Sequence, residues 1–219
     1  MLGRYTAFTA AFGNLIKPVN TAGDWEIGAD RGRSRNALVE RSLERGSEWI
    51  LFLDDDHAFP PQLLNILLSR ELPVVAGLYL QRTDPFLPIA YIDKDEQGRY
   101  TPVDLNDCPQ HGTIPVRAAG TGGMLIRSEV FHQIPGPWFI HTTQQSEDLY
   151  FCDLLHEHGI PLALDLNARL AHLGVIAVAP DWVRPDGGGP EQWAAGLRVS
   201  PSMSVHLPIV MPGGVPTPD

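Results

Sequence analysis

Three consecutive carboxylates, Asp54, Asp55 and Asp56, stand directly after the apolar run Trp49 to Leu53. Side chains alternate along an extended segment, so Asp54 and Asp56 are expected on one side and Asp55 on the other. Two carboxylates roughly 5 Å apart repel by about 3 kcal/mol at an effective dielectric near 20. A divalent cation between them reverses the sign. The alternative is that the acids cap the helix expected from Pro60, where the macrodipole favours negative charge, although one cap needs one acid. Arg31, Arg33 and Arg35 form a second chemical feature, a basic cluster ahead of a helix. It could meet an anionic ligand or pair at the surface with Asp30, Glu40 or Glu44. In the run Gly120-Thr121-Gly122-Gly123, the glycines either let the backbone approach a ligand or take positive φ.

These residues need elements to position them. Trp49 to Leu53 reads as a strand buried on both faces of a mostly parallel sheet. The segment from Pro60 reads as a helix, with Leu63, Leu64, Leu67 and Leu68 at helical spacing. The acids therefore lie in a strand-to-helix turn, at the carboxyl end of a strand, where open α/β sheets bind ligands. Upstream, a possible amphipathic helix covers Tyr5 to Ile16, with a turn near Gly23 and no clear first strand. A helix capped by Ser34 and stopped by Gly46 follows. Downstream, Leu72 to Leu80 reads as a neighbouring strand, and Ile89 to Asp93 with Arg99 to Val103 as a hairpin. Further strands are expected at Ile114 to Ala119, Met124 to Arg127 and Leu162 to Leu166. A short helix runs from Ser128 to His132, and Trp138 to His141 reads as extended. Ser146 is placed to cap a helix that carries Glu147 and Asp148 in its first turn and ends at Gly159. His172 falls in a second short strand or loop.

From Pro180 onward, eight prolines and six glycines in 40 residues leave little room for regular structure. The expected organisation is a domain over residues 1–179 and an extended tail over 180–219. The net charge of −10 opposes attraction to a phosphate backbone, so nucleic acid is not an expected partner. No secretory leader or transmembrane run is legible. Cys108 and Cys152 are too few and too far apart for a disulfide framework, which favours a reducing compartment, and a cytoplasmic location is expected. Cys108 and His111 have metal-like spacing without a second ligand pair, which reads as an ordinary loop thiol.

Taken in order, Arg35-Asn36, Leu51 to Asp56, Gly120 to Arg127, Ser146-Glu147-Asp148 and Ala171 to Gly174 resemble the successive landmarks of the family 2-like GT-A glycosyltransferases, including their short bacterial and phage forms. The similarity spans about residues 30 to 175. It implies an α/β three-layer sandwich around a mostly parallel sheet, as in nucleotide-diphospho-sugar transferases. It further implies that Asp54 and Asp56 are the DxD pair holding a divalent metal against the donor diphosphate, with Asp56 the more direct ligand. His172 would complete the metal shell, and mixed carboxylate and imidazole ligation suits Mn²⁺ better than Mg²⁺. By the same resemblance Arg35, Asn36, Asp54, Asp55, Gly122 and Gly123 contribute to the donor site, and Asp148, with Glu147 second, is the base. The family opens with a strand and loop that hold the nucleotide base, and no equivalent is legible before Arg31, so the first strand is expected to be missing or diverged. The implied activity is transfer of a sugar from a nucleotide-sugar donor to a hydroxyl acceptor, whether glycan, lipid-linked or small molecule. A non-catalytic protein binding a nucleotide sugar or glycan is the alternative. A nucleotidyltransferase would also use paired acids and a metal, but its glycine-rich basic loop is absent.

Overall fold

The computed structural model describes residues 6–26 and 30–174, and the tail expected over 180–219 lies outside the described residues. Helices α1 (Thr6–Asn14) and α2 (Arg31–Glu44) precede the first described strand, β1 (Trp49–Leu53). The two-residue strand β2 (His57–Ala58), helix α3 (Leu63–Leu68) and strand β3 (Val74–Leu78) follow. Next come β4 (Ala90–Lys94), β5 (Tyr100–Pro102), β6 (Thr113–Pro115), β7 (Ala118–Ala119) and β8 (Gly123–Arg127). Helices α4 (Ser128–Gln133) and α5 (Glu147–Glu157), then strands β9 (Leu162–Arg169) and β10 (Ala171–His172), complete the described chain. No described helix is long and apolar enough to cross a membrane.

This is a mixed α/β fold. Its central sheet has the order β1-β8-β3-β9-β6. Only β3 and β9 pair in parallel; β1 with β8, β8 with β3 and β6 with β9 are antiparallel. The expected mostly parallel sheet is therefore corrected to a mostly antiparallel one. The apolar runs report burial, and central strands covered on both faces read alike in either direction. β1 is likewise an edge strand with alternating burial, not a strand enclosed on both faces. The expected strand at Ile114 to Ala119 divides between β6 in the central sheet and β7 in a three-stranded sheet, β5-β4-β7, that contains the expected hairpin. Trp138 to His141 forms no strand.

Two apolar layers sandwich the central sheet. Val74, Ala76, Met124, Ile126, Leu162 and Leu164 pack with Val39 of α2, Phe131 of α4 and Phe151 and Leu155 of α5. Val75, Leu125, Ala168 and Leu170 face Phe8 of α1 and Leu63, Leu64 and Leu67 of α3. The period-2 alternation along β3 and β8 sends successive residues to opposite layers. The start of α2 also differs from expectation: Asp30, not Ser34, is the cap, its side chain accepting from the Arg33 amide at 3.0 Å. Ser34 instead lies within the first turn, its amide donating to the Asp30 carbonyl. Ser146 precedes α5 as expected but makes no side-chain capping bond.

Candidate functional site

The pairing pattern sets where chemistry can occur. β1 and β3 both run antiparallel to β8, and β9 runs parallel to β3, so β1, β3 and β9 share one direction. Their carboxyl ends, with the segment leading into β8, gather at one edge of the sheet, the place where such folds bind ligands. Asp54 to His57 follow β1, Tyr79 and Arg82 follow β3, His172 follows β9, and Gly120 to Gly122 lead into β8.

The acidic run does not continue the strand. The amide of His57 donates to the Asp54 carbonyl at 3.2 Å, closing a turn, while Asp54 N–H donates to Gly122 O at 3.3 Å. Alternation therefore stops at Leu53, and Asp54 and Asp56 have different partners. Asp55 is exposed at the corner. β2 then pairs with β10 so that His57 stands opposite His172, and Leu173 N–H donates to Asp56 O at 2.7 Å. The imidazoles stack at 4.6 Å with planes 10° apart, and the Tyr79 ring meets them edge-on at 4.5 and 5.6 Å.

The Asp56 carboxylate lies against this stack. Its Oδ1 is 3.2 Å from His57 Nδ1 and its Oδ2 is 3.4 Å from His172 Nε2. Burial opposes the charge on Asp56, but the close approach of His172 and His57 outweighs it and holds the carboxyl far below its usual range. His172 Nδ1 is 2.8 Å from the carbonyl of Leu80. A carbonyl only accepts, so Nδ1 carries a proton, and Nε2 is the ring nitrogen aimed at Asp56. Such backbone anchoring of one imidazole nitrogen frees the other for a metal. His57 is 1% exposed, and neither of its ring nitrogens, nor Asp56 Oδ1, has a hydrogen-bond partner among the described residues. One ligand atom from each of Asp56, His57 and His172 lies within 4.8 Å of the others. A carboxylate with two imidazoles, anchored from behind and with unpartnered donors, fits a divalent cation.

A second cluster borders the first. Arg35 is buried and its Nη2 donates to Asp54 Oδ1 at 3.0 Å and Oδ2 at 3.3 Å. Its Nε lies 3.7 Å from Glu147 Oε1 and 3.9 Å from Asp148 Oδ1. Burial disfavours the guanidinium charge, but Asp54, Asp148 and Glu147 more than restore it, raising its pKa. Asp148 accepts from Thr121 Oγ1 at 3.2 Å and Thr121 N–H at 3.4 Å. Burial, opposed by Arg35 and reinforced by Glu147 and Asp54, raises the Asp148 carboxyl to about 6. Glu147 is 1% exposed; its Oε2 lies 3.5 Å from His141 Nδ1, and neither oxygen has a hydrogen-bond partner among the described residues.

The glycine run is shaped by crowding. None of Gly120, Gly122 and Gly123 has positive φ. A Cβ at Gly122 would fall 2.6 Å from His57 Cε1 and 3.0 Å from Asp54 Oδ2, and one at Gly123 would meet Leu170 at 2.7 Å. Gly122 N–H donates to Tyr79 Oη at 3.2 Å. Gly122 thus lets β8 approach both acid clusters, whereas the room at Gly123 is taken by the core.

The structure accordingly brings Asp56 and His172 together, with His57 completing their cluster. It places Asp54 on Arg35 beside Glu147 and Asp148. Asn36 is committed elsewhere: its amide nitrogen donates to Gly32 O and Phe139 O, and its oxygen accepts from Trp138 N–H and Phe139 N–H. Three of those four bonds staple the 138–139 segment to α2, and together they correct the expectation of a donor-site amide. His57, Tyr79 and Arg82 escaped the sequence reading. For His57 the signal was its place directly after the acids, hidden by treating residues 54–56 as extended.

No family model and no curated protein matches the chain. Among solved structures it is similar to the crystal structure of A197 from STIV, at 17% identity and a TM-score of 0.45 over 69% of this chain and 80% of that one. It is also similar to the crystal structure of GalNAc-T7 with UDP, GalNAc and Mn²⁺, at 12% identity and a TM-score of 0.48; the match covers 67% of this chain and 31% of that one.

Proposed function

We propose that the chain binds the diphosphate of a nucleotide sugar through a divalent cation held by Asp56 and His172, with residues 1–179 as the domain that does so. The carrying observation is the meeting of the Asp56 carboxylate with a backbone-anchored His172 and a buried His57 that lacks hydrogen-bond partners among the described residues. The ordered landmarks from Arg35 to Gly174 support the same assignment to the GT-A group. Two imidazoles and a carboxylate favour Mn²⁺ over Mg²⁺, which prefers oxygen ligands. A cation bound there would supply the positive charge that a departing diphosphate needs.

Binding alone would make the chain a non-catalytic member of that group. Glycosyl transfer, the fuller reading, needs a group to take the proton of the acceptor hydroxyl. Asp148 supports it: the carboxyl, raised to about 6, is mostly ionised at neutral pH and close enough to ambient pH to accept a proton. Arg35 offsets part of the burial that raises this carboxyl, and Thr121 orients it.

Calorimetry with UDP, GDP and their sugars, with and without Mn²⁺, tests the reading. Metal-dependent binding lost in Asp56→Ala is expected, and slow donor hydrolysis lost in Asp148→Asn selects transfer over binding. Binding that ignores both Mn²⁺ and Asp56→Ala overturns the assignment.

A further inference from the structure

Arg82 lies in the loop after β3, whose base is closed by the Leu80–Pro88 bridge and by Gln81 N–H donating to Leu87 O at 2.9 Å. Its Nη1 is 3.1 Å from Asp56 Oδ2 and donates to Leu173 O at 3.2 Å. The oxygen it touches is the one that faces His172 Nε2. The side chain is 45% exposed, and its other nitrogens make no hydrogen bond among the described residues. Arg35, by contrast, is buried and tied to three carboxylates. Of these two cations, only Arg82 can be released at little cost, because exposed ion pairs contribute little.

We propose that Arg82 is an exchangeable counter-ion of Asp56. It holds Oδ2 while the site is free, gives that oxygen up to a divalent cation, and then turns its guanidinium fork to the phosphate oxygens of the ligand. A cation on Oδ2 and Arg82 on the same atom repel, so the two compete. A diphosphate arriving with the cation restores a partner of opposite sign, and the planar fork matches phosphate oxygens in pairs. Arg82 therefore opposes the metal alone and favours the metal with phosphate, so its removal must shift the two affinities in opposite directions. The proposal rests on the metal-diphosphate reading above.

Calorimetry on the full chain tests it. Mn²⁺ alone is titrated into the wild type, Arg82→Ala, Arg82→Lys and Asp56→Ala; inorganic pyrophosphate is then titrated with Mn²⁺ present. Arg82→Ala should bind Mn²⁺ alone about fivefold tighter, as loss of a competing exposed pair of about 1 kcal/mol requires. It should bind pyrophosphate about tenfold weaker, as loss of a charged hydrogen bond requires, and Arg82→Lys should recover part of that. Unchanged or weaker Mn²⁺ binding by Arg82→Ala, or unchanged pyrophosphate binding, overturns the proposal. If Asp56→Ala meanwhile abolishes Mn²⁺ binding, the metal assignment stands without it. If Mn²⁺ binds neither the wild type nor Arg82→Ala, both fall.

Discussion

Replacing Asp148 by Asn is expected to stabilise the protein at neutral pH while removing its candidate base. Burial, only partly offset by Arg35, raises the carboxyl from 3.8 to about 6 in the fold. A carboxyl with a raised folded pKa binds protons more tightly in the native state, so wild-type stability from this group falls as pH climbs from about 4 to 6. Once both states are ionised, the penalty is about 3 kcal/mol; near pH 4.5 it is about 1 kcal/mol. Asn carries no such penalty, but its amide nitrogen accepts nothing from Thr121, which costs about 1 kcal/mol. The variant should therefore match the wild type near pH 4.5 and exceed it by about 2 kcal/mol at pH 7.5, or roughly 4–8 °C in Tm for a domain of this size. Urea unfolding of both proteins between pH 4.5 and 7.5 measures the difference directly. A gap that does not widen with pH, or a variant less stable at pH 7.5, would show that Asp148 is not held above its ordinary range.

Arg35→Ala leaves Asp54, Glu147 and Asp148 without their shared cation; it should cost about 3–5 kcal/mol at pH 7.5 in urea unfolding, and less at pH 4.5, where protonation relieves the repulsion. Gly122→Ala puts a methyl group 2.6 Å from His57 Cε1; it should cost about 1–3 kcal/mol of stability and weaken Mn²⁺ binding at least tenfold by calorimetry. Asn36→Leu should cost about 2–4 kcal/mol through four lost backbone bonds and leave the Mn²⁺ affinity of the folded protein unchanged.

Much of the site's frame was legible because local chemistry dictated it. An apolar run ended by acids marks a strand terminus, and the first-turn Glu147 and Asp148 before Leu149 and Cys152 mark a helix start. The β4–β5 hairpin followed from a polar turn ending in glycine, and Gly98 there has φ +80°. Strand direction was not legible, because Val74 to Leu78 and Gly123 to Arg127 are equally apolar whichever way they run. Nor was the break at Asp54, where a hydrogen bond to Gly122, distant in sequence, ends the extended geometry. His57 and His172 meet through a pairing of two-residue strands more than a hundred positions apart, and no periodicity within either segment announces it. Asn36 reads as a ligand group until the 138–139 backbone is seen to consume its amide. Arg82 carries no local signal, since its contact with Asp56 arises only from the way the loop after β3 folds back.

The central claim is that a cation belongs between Asp56 and His172. Anomalous scattering from crystals grown with Mn²⁺ tests it most directly. The peak should lie within coordination distance of Asp56 Oδ2 and His172 Nε2 and vanish in Asp56→Ala. A peak held by Asp54 or Asp148 instead, or none at saturating Mn²⁺, would contradict it.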